Sequence, residues 1–208
     1  MVRTFIPHSL DIIRLEQELD ELQALLSTSS TLAERAVIAP FFKSRPELCA
    51  ALGWFHSDVE LPDRVAAELH LFGDFACDAA SGDSTTNSYL LIEFEDAVEY
   101  SIFGKVEAGK TVRQWARRFE HGFSQLVDWA WRLSEEGNST AFRQIFGKNH
   151  ANIHLLLVIG RDADLSDDDA ARLRWRTRNV SLGPFRMTCL TFDNVLHSIR
   201  RRLHVTKI

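Results

Sequence analysis

The sequence predicts an α/β fold, and three observations carry that prediction. Residues 66–72, 74–80 and 88–95 read as three consecutive strands, the last two joined by the polar stretch 81–87, a hairpin signal with a longer turn. The run from Ile153 to Gly160 is almost continuously apolar, as a strand buried on both faces must be. Around these segments, apolar residues recur at three- and four-residue spacing, the period of a helix face.

The elements follow in order. Leu10, Ile13, Leu15, Leu19, Leu22, Leu25 and Leu26 mark a helix over 9–27, with Ser9 as its N-cap. A second helix is expected over about 31–43. Pro46 opens a short third helix, 46–52, which Gly53 ends. After the three strands, residues 98–103 extend the sheet or run along its edge. A long helix follows over about 117–136, with Phe119, Phe123, Leu126, Val127, Ala130 and Leu133 as its apolar line. A short helix over 140–147 precedes the apolar strand. Ser166 then caps a helix whose first turn holds Asp167, Asp168 and Asp169, a placement the helix dipole favours. A strand over 186–192 and a helix over 193–203 complete the order. The chain divides into a helical segment, 1–54, and an α/β domain, 55–208.

At 208 residues and 45% hydrophobic content, the chain can bury a substantial core. No apolar run approaches the roughly 18 residues of a membrane span, and Met1 to His8 lack the apolar core of a secretory signal. Cys49, Cys77 and Cys189 are scattered, without a C-x-x-C pair, so buried thiols in a reducing cytoplasm are expected. The net charge of −5 excludes a nucleic-acid binder that works by bulk charge, but the distribution is uneven. Residues 56–99 hold eleven acidic side chains against one basic, and residues 172–208 hold nine basic against one acidic. An acidic centre facing a basic flank is what phosphodiester cleavage on DNA needs: cations hold phosphates while carboxylates hold a metal.

That acidic centre is specific. Asp78 ends one strand, and Glu93 and Glu95 interrupt another on a single face, since side chains two apart in a strand point the same way. Carboxylates in apolar strands are costly to bury without compensation, and a divalent cation such as Mg²⁺ is the usual compensation for several that converge. Asp78, Glu93 and Glu95 are therefore the candidate ligands of Mg²⁺ or Mn²⁺.

The order Asp78, hairpin, Glu93-x-Glu95, then a helix carrying Gln125-x-x-x-Trp129, then a strand and a helix, resembles the PD-(D/E)xK nuclease superfamily. The stretches Phe-Gly-Asp-Phe-Ala-Cys-Asp (72–78), Ile-Glu-Phe-Glu (92–95) and Phe-Glu-His-Gly-Phe-Ser-Gln-Leu-Val-Asp-Trp (119–129) resemble the Shedu anti-phage nuclease family. This resemblance implies a restriction-endonuclease-like mixed sheet flanked by helices. It implies a metal-dependent endonuclease acting on DNA in defence, with Asp78, Glu93, Glu95 and Gln125 as its catalytic residues, assembled as a homo-oligomer. One position departs from the pattern: the superfamily usually has lysine where this chain has Glu95. Lys105, Lys110 and Arg113 are the candidates for a replacing cation from a neighbouring loop. The alternative reading is a nuclease-fold module without activity that binds nucleic acid or a protein partner.

Other motifs compete. Gly104 to Thr111 matches the phosphate-loop pattern G-x-x-x-x-G-K-T, but Glu107 lies inside the loop and too few strands follow for a parallel ATPase sheet. Glu68 is read as a surface glutamate before a second-metal ligand, and Asp74 as the alternative to Asp78 for the first ligand or as a cap at the start of its strand, Asp78 being preferred because it stands fifteen residues before Glu93. His121 is a helix histidine that could touch water or phosphate. His150 and His154 have ligand spacing, but the second begins a strand, which breaks helical geometry.

Overall fold

The computed structural model describes residues 4–206, and of Thr206 the backbone alone. One mixed sheet of six strands follows chain order. β1 (Ile6–Pro7), β2 (Arg64–Leu71), β3 (Phe75–Asp83) and β4 (Ser88–Phe94) are each antiparallel to the next, and β5 (Asn152–Val158) and β6 (Arg186–Leu190) continue parallel to β4. Antiparallel strands need only tight turns, whereas parallel ones need crossovers. Helices α4 (Arg117–Glu135) and α5 (Thr140–Phe146) cross from β4 to β5, and α6 (Asp167–Asn179) crosses from β5 to β6. The remaining helices are α1 (Ile12–Thr28), α2 (Ala39–Lys43), α3 (Pro46–Leu52) and α7 (Phe192–Thr206). This is the expected mixed sheet flanked by helices, with helices at its N-terminal side.

The sheet separates two apolar cores. Along β4, Leu90, Ile92 and Phe94 face one side with Leu15, Leu19 and Leu22 of α1, Leu48 of α3 and Phe192 and Ile199 of α7. Tyr89 and Leu91 face the other side with Phe119, Leu126 and Trp129 of α4, Phe142 of α5 and Leu173 of α6. The period-two alternation of one strand thus assigns each helix to its face. The helices of the N-terminal segment share their core with α7, from the other end of the chain.

Local departures have local causes. Helix α1 starts three residues later than expected because Asp11, not Ser9, caps it, its carboxylate accepting from the N–H groups of Ile13 and Arg14. The helix expected over 31–43 opens as a wide π-helical turn, Glu34–Ile38, before α2. Strand β3 runs on to Asp83, so the turn is shorter than the sequence suggested. Its carboxylate accepts from the N–H groups of Thr85 and Thr86, an Asx-type turn. The β2–β3 turn places both Phe72 (φ +56°) and Gly73 (φ +85°) in the left-handed region. Residues 98–103 do not extend the sheet: Ala97 bridges to Leu32 and Phe103 to Trp115, which carries the chain away from the end of β4. The last strand ends at Leu190, two residues early, because α7 begins at Phe192. No helix among the described residues is long and apolar enough to cross a membrane.

Candidate active site

The three predicted carboxylates lie together at the carboxyl end of β4, under the first half of α4. In register, Asp78 on β3 stands opposite Glu93 on β4, although regular pairing stops one step earlier, at Ala79 and Ile92. The β2–β3 ladder also skips this level, where Glu68 adopts φ +71°. Freed from the ladder, the Phe94 N–H donates to Asp78 Oδ2 at 2.9 Å. Glu95 lies one residue beyond β4, but its N–H still donates to Val158 O at 2.9 Å, which keeps it on the face of Glu93. Glu93 and Glu95 are both buried, Glu95 completely.

Helix α4 partners them in turn. Gln125 Nε2 donates to Glu93 Oε1. His121 Nδ1 sits 2.8 Å from Glu95 Oε1. Arg118 Nε lies 3.0 Å from Glu95 Oε2, 2.7 Å from Asp96 Oδ2, and its Nη1 3.3 Å from Glu34 Oε2. Arg118, His121 and Gln125 fall at i, i+3 and i+7, one face of a helix. Gly122 lets that face come close: a Cβ there would lie 2.7 Å from Leu157 Cδ1 and 2.9 Å from Glu95 Cγ. The Nε–H of Arg118 is aligned on Asp96, so the buried Glu95 Oε2 has a nearby charge but no hydrogen bond.

Negative charge is in excess. Burial pushes the Asp78 carboxyl up to about 6, against the Phe94 N–H, which lowers it. Burial, reinforced by the charges of Asp78 and Glu95, pushes Glu93 up to about 9. Burial raises Glu95 to about 7, against the lowering contacts of His121 and Arg118. Glu34 adds a raising charge to all three. One guanidinium cannot offset this many carboxylates, so the cleft lacks positive charge.

A hard divalent cation suits this donor set, which is all carboxylate oxygen and includes a buried oxygen without a hydrogen bond. Among the described residues, no three His, Cys, Asp or Glu side chains are already gathered into a metal cage.

Several sequence readings are corrected here. The loop cations do not serve the cleft. Arg113 pairs with Asp169 and donates to the carbonyls of Phe103, Gly104 and Asp164, Lys110 pairs with Glu107, and Lys105 lies over the Tyr100 ring. Arg118 is the guanidinium beside Glu95, and its helical spacing from Gln125 was the available signal. Glu34 was missed; no local pattern marks it, and the hydrogen bond from its N–H to Asp96 Oδ1 (2.7 Å) brings it in from the π-helical turn. Glu68 lies 3.6 Å from His70, and Asp74 lies 3.2 Å from Arg132 in the β2–β3 turn. Residues 104–111 form a loop with no preceding strand and no helix starting on them, so the phosphate-loop match is coincidental. His154 lies on β5 and stacks on His56 at 3.7 Å, away from His150.

The basic flank is not one surface. Arg172 and Arg176 belong to α6, on the α4 side of the sheet, whereas Arg200 and Arg202 belong to α7, on the opposite side. Arg176 makes a two-pronged pair with Glu120, Arg172 lies over Phe103 and Trp115, Arg200 pairs with Asp20, and Arg202 donates to Trp54 O. Lys207 lies outside the described residues.

Comparison with protein-family models shows that residues 32–196 fit the family described as Shedu protein SduA, C-terminal. The matched span includes Glu34, all three predicted carboxylates and the α4 residues beside them. No curated protein matches the chain.

Proposed function

Because the chain belongs to the Shedu family, and so to anti-phage defence, we infer that its carboxylate cleft hydrolyses phosphodiester bonds in DNA with the help of Mg²⁺ or Mn²⁺. The observation that carries this reading is the burial of Glu93 and Glu95 at the end of β4, opposite the half-buried Asp78 of β3, with all three carboxyls raised and too few cations to neutralise them. Carboxyls perturbed by burial and by a specific charged neighbour are candidates for a functional site.

In this reading Asp78 and Glu93 would hold the cation, and Glu95 would be a further ligand or the base. When bound, Mg²⁺ supplies activation of water and neutralisation of charge on the scissile phosphate. The chain does the rest. The Phe94 N–H and the Gln125 amide orient Asp78 and Glu93. Glu95, raised to about 7 and 2.8 Å from His121 Nδ1, is matched to accept a proton from water near neutral pH. Arg118, held by Glu34 and Asp96 and 3.0 Å from Glu95, would supply the positive charge that lysine gives in the superfamily this site resembles.

The test is cleavage of linear and supercoiled DNA under Mg²⁺ and Mn²⁺. Wild type should cut, and Asp78→Ala and Glu93→Ala should lose cutting by about a hundredfold or more while binding survives. Glu95→Ala should fail likewise. Intact DNA under both metals at every protein concentration would instead favour the module that binds without cutting. The absence of lysine at position 95 is the observation on that side.

A further inference from the structure

Among the described residues, β6 pairs only with β5, which leaves an open edge of the sheet. Along that edge lies a groove of about 800 Å³, between residues 185–191 on one side and α6 on the other. Leu190 O accepts from Ile159 N, so the carbonyls of residues 186, 188 and 190 turn toward β5. By alternation, the N–H and C=O groups of Met187 and Cys189 turn outward into the groove.

Three arginines line the same groove: Arg174 and Arg178 from α6, and Arg186 from β6. All three are exposed, and among the described residues none makes a hydrogen bond or an ion pair. This sets them apart from Arg172 and Arg176 on the same helix, which are held by protein partners. The one acid in the lining, Asp162, already accepts from Thr191 Oγ1 and Asn194 Nδ2, both at 2.5 Å. The groove therefore carries uncompensated positive charge beside an unpaired backbone edge.

These two features together select an occupant. A nucleic acid would answer the arginines, but its phosphates only accept hydrogen bonds and would leave the outward carbonyls of Met187 and Cys189 without donors. A second copy of β6 would bring like charges edge to edge. A polypeptide strand supplies donors and acceptors in alternation, and acidic side chains supply the counter-charge. We propose that the β6 edge is a docking site for an extended acidic segment of a partner polypeptide, which adds as a seventh strand with carboxylates directed at Arg174, Arg178 and Arg186.

This site lies on different elements from the carboxylate cleft, so its test does not depend on cleavage. The probe is a capped synthetic peptide of about nine residues, the length of an ordinary strand, with glutamates on both faces among valine and threonine, because Arg186 and the α6 arginines lie on opposite faces of the sheet. Titration into isotope-labelled protein should give saturable shifts centred on the amides of Met187 and Cys189. The Arg174→Glu/Arg178→Glu variant should weaken the acidic peptide by about tenfold or more and gain affinity for the lysine version. That gain also shows that the variant is folded. Methylating alternate backbone nitrogens of the peptide should abolish binding. The proposal is overturned if the acidic peptide produces no saturable shifts, or if the N-methylated peptide binds equally well. It is also overturned if a single-stranded oligonucleotide takes the groove in an arginine-dependent way while the peptide does not, or if the shifts trace to self-association.

Discussion

Replacing Glu93 with glutamine keeps the side chain's shape and an oxygen able to accept from Gln125, and it removes a charge that the fold holds at a cost. The Glu93 carboxyl titrates near 4.5 when unperturbed and is pushed up to about 9 by burial first, then by Asp78 and Glu95. A raised carboxyl contributes stability that is fully present below about pH 4.5 and is lost as pH rises toward the folded value. Across that window the folded protein binds more protons than the unfolded chain, and each pH unit removes about 1.4 kcal/mol per proton. Between pH 5 and pH 7, Glu93 alone therefore costs the wild type on the order of 2 kcal/mol. Urea unfolding of wild type and Glu93→Gln, with divalent ions chelated, measures this directly. The variant's lead should grow by on the order of 2 kcal/mol from pH 5 to pH 7. Saturating Mg²⁺ should narrow the lead by stabilising the wild type through linkage. A stability difference that stays flat from pH 5 to pH 8 would refute the reasoning, because it would mean that Glu93 ionises as freely in the fold as in water.

Three further outcomes are expected. Gly122→Ala should lower stability by about 1–2 kcal/mol in urea unfolding, since its Cβ meets Leu157 and Glu95 and the clash outweighs better helix propensity. Ser124→Ala, on the exposed side of α4, should change stability by less than about 0.5 kcal/mol, and equal effects would remove the close-approach argument. Burial, with the charges of His56 and Arg186, holds His154 down to about 4, so its stabilising contribution is present above pH 6.5 and lost as pH falls toward 4. His154→Gln should therefore gain on the wild type by about 1–2 kcal/mol between pH 7 and pH 5, and a parallel pH profile would count against it. Burial pushes the Cys49 thiol up to about 12 and raises Cys77 and Cys189 as well, so an aromatic disulfide reagent should label none of the three until the protein unfolds; rapid native labelling would contradict their burial.

Much of this molecule is legible in local pattern. The apolar run of β5, the alternation in β4 and the apolar stripe of α4 are short-range signals. Each survives because the same residues that set the period also face the core. Asp78, Glu93 and Glu95 stood out for the same reason, as charges interrupting those patterns. The α4 partners were half visible: Gln125 carried a motif and His121 invited a role, whereas Arg118, on the same helix face, was passed over for loop cations that the structure commits to Asp169, Glu107 and Tyr100. Glu34 carried no signal at all.

The sequence alone therefore determined the types of the long elements, the mixed α/β class and the carboxylates that break the strand pattern, because those follow from periodicity and from the cost of burying charge; the short strand β1 and the π-helical turn carried no such period. Only the tertiary structure decided which charges meet. The crossovers put α6 and α7 on opposite faces of the sheet, which divided one basic stretch into two separate surfaces. They left β6 as an open edge beside unpaired arginines. The N-terminal π-helical turn carried Glu34 to the end of β4. Such encounters depend on distances in space between residues far apart in the chain, and composition and period contain no measure of those distances.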